Sequence, residues 1–140
     1  VTSFTYRRPV FVSWGDCDPA GIVFNPRFFH MFDTNTWAMI AEVLGVAVPQ
    51  INATYGLLGI ALVDVKANFM KPAKFGDTIE IASRVKEFRR SSFVVEHKVT
   101  INGELAIEGE ETRVWAMPRA DDPDKMRAGE IPAEVIAKFS

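Results

Sequence analysis

Asn25-Pro26-Arg27-Phe28-Phe29-His30-Met31-Phe32-Asp33-Thr34-Asn35-Thr36-Trp37-Ala38-Met39-Ile40-Ala41-Glu42-Val43-Leu44-Gly45 is the stretch from which the fold is read. Asn offers a side chain that caps free backbone N–H groups, and Pro suits the first helical position. Phe28, Phe29, Phe32, Thr36, Ile40, Val43 and Leu44 then recur with an approximate 3.6-residue period, and Gly45 supplies a stop. The spacing predicts a helix of about 19 residues, the longest periodic segment of the chain. Its aromatic stripe marks it for deep burial.

Before this helix, residues 4–14 alternate, with Phe4, Tyr6, Val10, Val12 and Trp14 on one face of an expected strand. Pro9 places that strand at an edge or a bulge. Residues 15–21 are a bend rich in Gly, Asp and Pro. After the helix, residues 49–55 suit a short second helix, and strands are expected over 60–71, 78–89, 92–101 and 105–117. Gly76-Asp77 marks a turn, and Asn102-Gly103 is a strong tight-hairpin signal. Residues 118–129 read as polar and irregular, and a short helix follows Pro132 with Val135, Ile136 and Phe139 as its apolar side. Consecutive hairpins imply an antiparallel sheet. The class is therefore α+β, a curved antiparallel sheet around one long helix.

The chain has 140 residues, the size of one domain (1–140), and a net charge of −2. With 48% hydrophobic residues it has ample material for a core, which excludes a disordered chain. It lacks the basic excess of a general nucleic-acid binder. A single cysteine, Cys17, excludes a disulfide framework and a Cys-rich zinc site, and two histidines leave little for a His-based metal centre. No run of about 18 apolar residues is present to span a membrane. The N-terminal residues lack the apolar core of a signal peptide, so a cytoplasmic location is expected.

Chemistry concentrates in Gly15-Asp16-Cys17-Asp18, two acids one residue apart between a strand and a helix start. Such residues occur in bends for conformational reasons alone. A carboxylate there would also stand near free N–H groups that polarise a carbonyl and hold a developing oxyanion. His30 and His97 read as structural or surface residues, and Cys17 has no evident base to activate it.

The run GDCDPAGIVFNPRFFHMFD (residues 15–33) closely resembles the active-site segment of hotdog-fold acyl-CoA thioesterases, above all the 4-hydroxybenzoyl-CoA branch. Residues 86–94, KEFRRSSFV, also resemble that branch, and the element order matches the hotdog topology over nearly the whole chain. The resemblance implies that Asp18 is the catalytic acid, as nucleophile or as general base. It implies that the backbone N–H of Asn25, where a member of the family carries Tyr, is the oxyanion donor. It also implies that Asp33 accepts a hydrogen bond from a substrate phenol; a buried carboxylate there would need such a partner. Arg89, Arg90 and Ser91 would bind coenzyme A phosphates, Ser91 standing where the branch has Lys. No cofactor or metal is implied, coenzyme A being part of the substrate, and the family assembles as homodimers or homotetramers. Residues 71–77 and 54–61 depart from the branch. A thioesterase for short aliphatic acyl-CoA and a non-catalytic acyl-CoA-binding module are the alternatives.

Overall fold

Short connections between extended segments force neighbouring strands to run antiparallel, and the sheet is built this way throughout. The computed structural model describes residues 4–140. In chain order the elements are β1 (Tyr6–Phe11), α1 (Pro26–Leu44), α2 (Ile51–Tyr55), β2 (Gly59–Phe69), β3 (Thr78–Phe88), β4 (Ser92–Ile101), β5 (Glu104–Pro118), β6 (Met126–Ala128) and α3 (Ala133–Lys138). The sheet order is β1-β3-β4-β5-β2, with β6 paired to β5. The β4–β5 turn places Asn102 at φ 52° and Gly103 at φ 80°, the left-handed pair that a tight hairpin needs. Pro9 lies in β1, an edge strand, where its missing N–H costs no ladder bond.

The long helix lies over one face of this sheet, the α+β arrangement expected. It buries Phe28, Met31, Phe32, Asn35, Thr36, Met39, Ile40 and Leu44. Its start lies beside the far end of β2, where the Phe28 and Phe69 ring centroids are 5.9 Å apart. Its end packs with Ile60, Phe93, Trp115, Val135 and Phe139. Gly45 closes it at φ 67°, a conformation that costs a side chain little only when there is none. Gly109 on β5 answers a different need. A Cβ there would stand 2.5 Å from Cε2 of Phe32, so the absent side chain lets that ring lie against the sheet.

Four local expectations are corrected. The first strand is shorter than residues 4–14: Trp14 begins a 3₁₀ turn (Trp14–Asp16). It is 59% exposed and meets Phe75 edge-on at 5.5 Å. The cause is Asp16, whose side chain accepts from the Ser13 N–H and hydroxyl and bends the chain out of the sheet. The second helix forms only over Ile51–Tyr55, a 3₁₀ turn (Val48–Gln50) occupying the Pro-containing start. Asn25 itself has helical backbone angles and makes no side-chain cap. Residues 118–129 include β6, which pairs Ala128 with Ala116 at the end of β5. No helix among the described residues is long and apolar enough to cross a membrane.

Candidate active site

The two acids of the first turn have different fates. Asp16 closes its own turn, its Oδ2 accepting from both the Ser13 N–H and the Ser13 hydroxyl. Asp18 accepts one hydrogen bond, through Oδ1 from the Ala20 N–H at 2.8 Å, and its Oδ2 has no protein partner among the described residues. The backbone around it is tied down. The Asp18 N–H donates to the Ile22 carbonyl, and the Gly21 N–H, at φ 80°, returns to the Asp18 carbonyl, both at 2.9 Å. Cys17 bridges to Val23 and Ile22 to Lys74. A fixed backbone thus carries a half-buried carboxylate with a free oxygen.

At the start of α1 the first amides divide similarly. Arg27 donates to the Phe24 carbonyl at 2.8 Å and Phe28 to the Asn25 carbonyl at 3.0 Å. Pro26 has no N–H to offer. The Asn25 N–H has no acceptor among the described residues, as first-turn amides characteristically lack one. Asn25 lines a cleft of about 230 Å³ together with Ile22, Val23, Phe28, Phe69 and Lys71. Asp18 reaches this wall through its backbone bond to Ile22, while its carboxylate stands outside the lining.

Asp33 is not fully buried, and one of its oxygens already has a protein partner. Its side chain is 50% exposed, and its Oδ1 accepts from Arg113 Nη2 at 2.5 Å. Arg113 belongs to a polar group sealed under α1. Its Nε donates to Glu111 Oε2 at 2.8 Å, and its Nη1 donates to the Ile60 carbonyl at 3.2 Å. Glu111 also accepts from Thr36 Oγ1 at 3.2 Å and pairs with His97 Nε2 at 3.0 Å. His97 Nδ1 lies 2.6 Å from Ser83 Oγ, which accepts from Asn35 Nδ2, and Asn35 Oδ1 accepts from Arg8 Nε at 2.8 Å. A ring proton on Nε2 lets His97 donate to Glu111. Phe32 stacks flat on the ring, centroids 4.5 Å apart and planes 3° apart. Burial alone would raise the Glu111 carboxyl. The His97 hydrogen bond and charge, and the Arg113 guanidinium, outweigh it and hold the carboxyl below its ordinary value.

From sequence, His97 reads as a structural or surface residue and Thr36 only as part of the helix stripe, while Glu111, Arg113, Asn35 and Ser83 do not stand out. A signal existed. Ile107, Gly109, Glu111, Arg113 and Trp115 share one face of β5, and that face is buried. Two charges in the register of Ile107 and Trp115 require partners on whatever covers that face.

The remaining expected residues lie far away. Arg89, Arg90 and Ser91 form the β3–β4 hairpin. Arg89 pairs with Glu87 at 2.8 Å, Arg90 with Glu130 at 3.6 Å, and the Ser91 carbonyl accepts from the Trp115 N–H at 2.8 Å. This hairpin is at the Phe88 end of β3, whereas the acidic turn is stapled to the Thr78 end through Val12 and Asp77. A strand of 11 residues separates them, roughly 35 Å at about 3.3 Å per residue. One chain therefore joins the turn and the helix start but not the arginine hairpin. No group of three or more His, Cys, Asp or Glu suited to a metal occurs among the described residues.

Residues 12–139 match the family described as the thioesterase-like superfamily. The chain belongs to this thioesterase family. The thioesterase is 34% identical over 130 residues to 4-hydroxybenzoyl-CoA thioesterase of Pseudomonas sp. (strain CBS-3), covering 89% of this chain and 90% of that one. The solved structure of that Pseudomonas enzyme superposes with a TM-score of 0.86 at 29% identity, covering 97% of this thioesterase and 99% of the other chain. A gentisyl-coenzyme A thioesterase structure gives 0.78 at 28% identity, covering 96% and 99%. The fold is thus the hotdog fold of these thioester hydrolases.

Proposed function

We infer that this thioesterase hydrolyses an aromatic, hydroxybenzoyl-type coenzyme A thioester to the free acid and coenzyme A. The observation that carries the reading is that one stapled turn holds both a carboxylate oxygen without a protein partner, on Asp18, and an unused N–H, on Asn25. The Asn25 amide, at the positive end of α1, would polarise the thioester carbonyl and hold the oxyanion as it forms. Asp18 would attack the carbonyl carbon or take a proton from the water that attacks it. Coenzyme A leaves as a thiolate, a good leaving group that needs no strong acid, and the chemistry needs no metal or cofactor. Phe28 and Phe69, which line the cleft beside Asn25, would supply apolar surface for an aromatic acyl group.

A homodimer completes the site in this reading. The β2 strand is a free edge with exposed Leu62, Val63 and Phe69. Such an edge invites pairing with a second copy. Antiparallel pairing of two β2 strands would carry the Arg89–Arg90–Ser91 hairpin of one copy toward the Asp18 and Asn25 end of the other, where it could bind coenzyme A phosphates. Stacking of two dimers into a tetramer follows the same family habit. The lone Cys17 suits a reducing, cytoplasmic setting.

The test is a panel of acyl-CoA esters followed by free thiol release. Asp18→Asn is expected to abolish most turnover while 4-hydroxybenzoyl-CoA still binds. Near-wild-type turnover in that variant refutes the site. Preference for short aliphatic esters refutes the aromatic assignment, and binding without hydrolysis of any ester leaves a non-catalytic module. Single-turnover hydrolysis in ¹⁸O-water separates the two roles of Asp18, label in its carboxylate marking the covalent route.

A further inference from the structure

Arg113 reaches Asp33 from beneath and is itself immobilised. Its side chain is 3% exposed. The guanidinium spends Nε on Glu111, Nη1 on the Ile60 carbonyl and Nη2 on Asp33. Three acceptors in three directions fix a planar fork in one orientation. Glu111, 1% exposed, is fixed in turn by Thr36 and His97. Asp33 is the one member of this group with a half-exposed side chain, and only its Oδ1 is engaged. Oδ2 has no partner among the described residues. A carboxylate with one oxygen clamped and the other free is an acceptor with a defined direction. Without the clamp, an aspartate on a helix surface samples several rotamers, and a ligand would have to select one of them.

We propose that Arg113, anchored by Glu111, is a positioning residue for acyl-group selection. It holds Asp33 through Oδ1 and presents Oδ2 as a fixed acceptor for a hydroxyl on the acyl ring. The proposal rests on Asp33 being the acid that meets the ring hydroxyl. It adds that discrimination between hydroxylated and unsubstituted rings depends on residues that never touch the substrate. A hydrogen bond to a charged group corresponds to roughly a ten- to hundredfold preference for the hydroxylated ester.

The experiment compares kcat and KM for 4-hydroxybenzoyl-CoA and benzoyl-CoA in wild type, Asp33→Ala, Arg113→Lys, Glu111→Gln and the double variant Asp33→Ala/Arg113→Lys. Arg113→Lys keeps the charge beside Glu111 but not the fork. Glu111→Gln loosens the anchor with little change of shape and stands in if Arg113→Lys does not fold. Asp33→Ala should remove the preference. Arg113→Lys or Glu111→Gln should lower it at least about fivefold, mainly through the hydroxylated ester. The double variant should lose no more than Asp33→Ala alone, since Arg113 acts through Asp33. A parallel fall for both esters in Arg113→Lys and Glu111→Gln, with the preference intact, overturns the proposal and leaves Arg113 structural. An unchanged preference in Asp33→Ala overturns the underlying assignment instead, and the proposal with it.

Discussion

Replacing Glu111 with Ala removes the acceptor at the centre of the sealed polar group. Three donors lose their partner: Thr36 Oγ1, His97 Nε2 and Arg113 Nε, the last at 2.8 Å. His97 and Arg113 are almost wholly buried, so water cannot replace the lost bonds. Each unsatisfied donor costs about 1–3 kcal/mol, while breaking a buried ion pair on one side costs about 3–5 kcal/mol. Arg113 retains Asp33 and the Ile60 carbonyl, which places the expected loss near the lower end, about 3 kcal/mol. Glu111→Gln keeps one acceptor oxygen and should lose about half as much. Urea unfolding at one fixed protomer concentration, with the slope m unchanged, measures both. The acid side gives a second reading. The Glu111 carboxyl is held below its ordinary value of 4.5. Its contribution is therefore fully present above that value and is lost as pH falls through the lower, folded-state value. The stability gap between wild type and Glu111→Gln should accordingly be constant near neutrality and narrow below about pH 4.5. A Glu111→Ala loss under about 1 kcal/mol, or a gap that widens on acidification, would refute this account of the core.

Gly109→Ala should cost about 1–3 kcal/mol, because the new methyl displaces Phe32 from its seat over His97; calorimetry at fixed concentration checks it. Val63→Lys, at an exposed bulge of β2, should shift the assembly toward monomer in light scattering and abolish most turnover with the protomer still folded. If the monomer keeps full activity, the shared-site reading fails. Arg89→Ala should raise KM for acyl-CoA roughly tenfold with kcat little changed. The same variant should not affect a thioester that lacks the nucleotide phosphates, nor stability by more than about 0.5 kcal/mol.

Local chemistry and tertiary contact divide this protein between them. Residues 25–45 announce the helix, because the period, the proline and the terminal glycine are all properties of neighbours in sequence. The Asn102-Gly103 hairpin and the antiparallel strand order are legible for the same reason. The acidic turn, too, stands out from its residue types. Its internal division does not: Asp16 and Asp18 look alike in sequence, and only the fold of the turn ties Asp16 back to Ser13 and Asp18 forward to the Ala20 N–H, on the side of the helix start. Charged residues fall on both faces of β5, Glu108 and Glu110 on one and Glu111 and Arg113 on the other. It takes α1, arriving from about 75 residues away in the chain, to decide that Glu111 and Arg113 are inside and to supply Thr36 and Asp33 as their partners. The distance between the arginine hairpin and the acidic turn is likewise a property of the sheet, set by strand length and pairing rather than by any residue at either end.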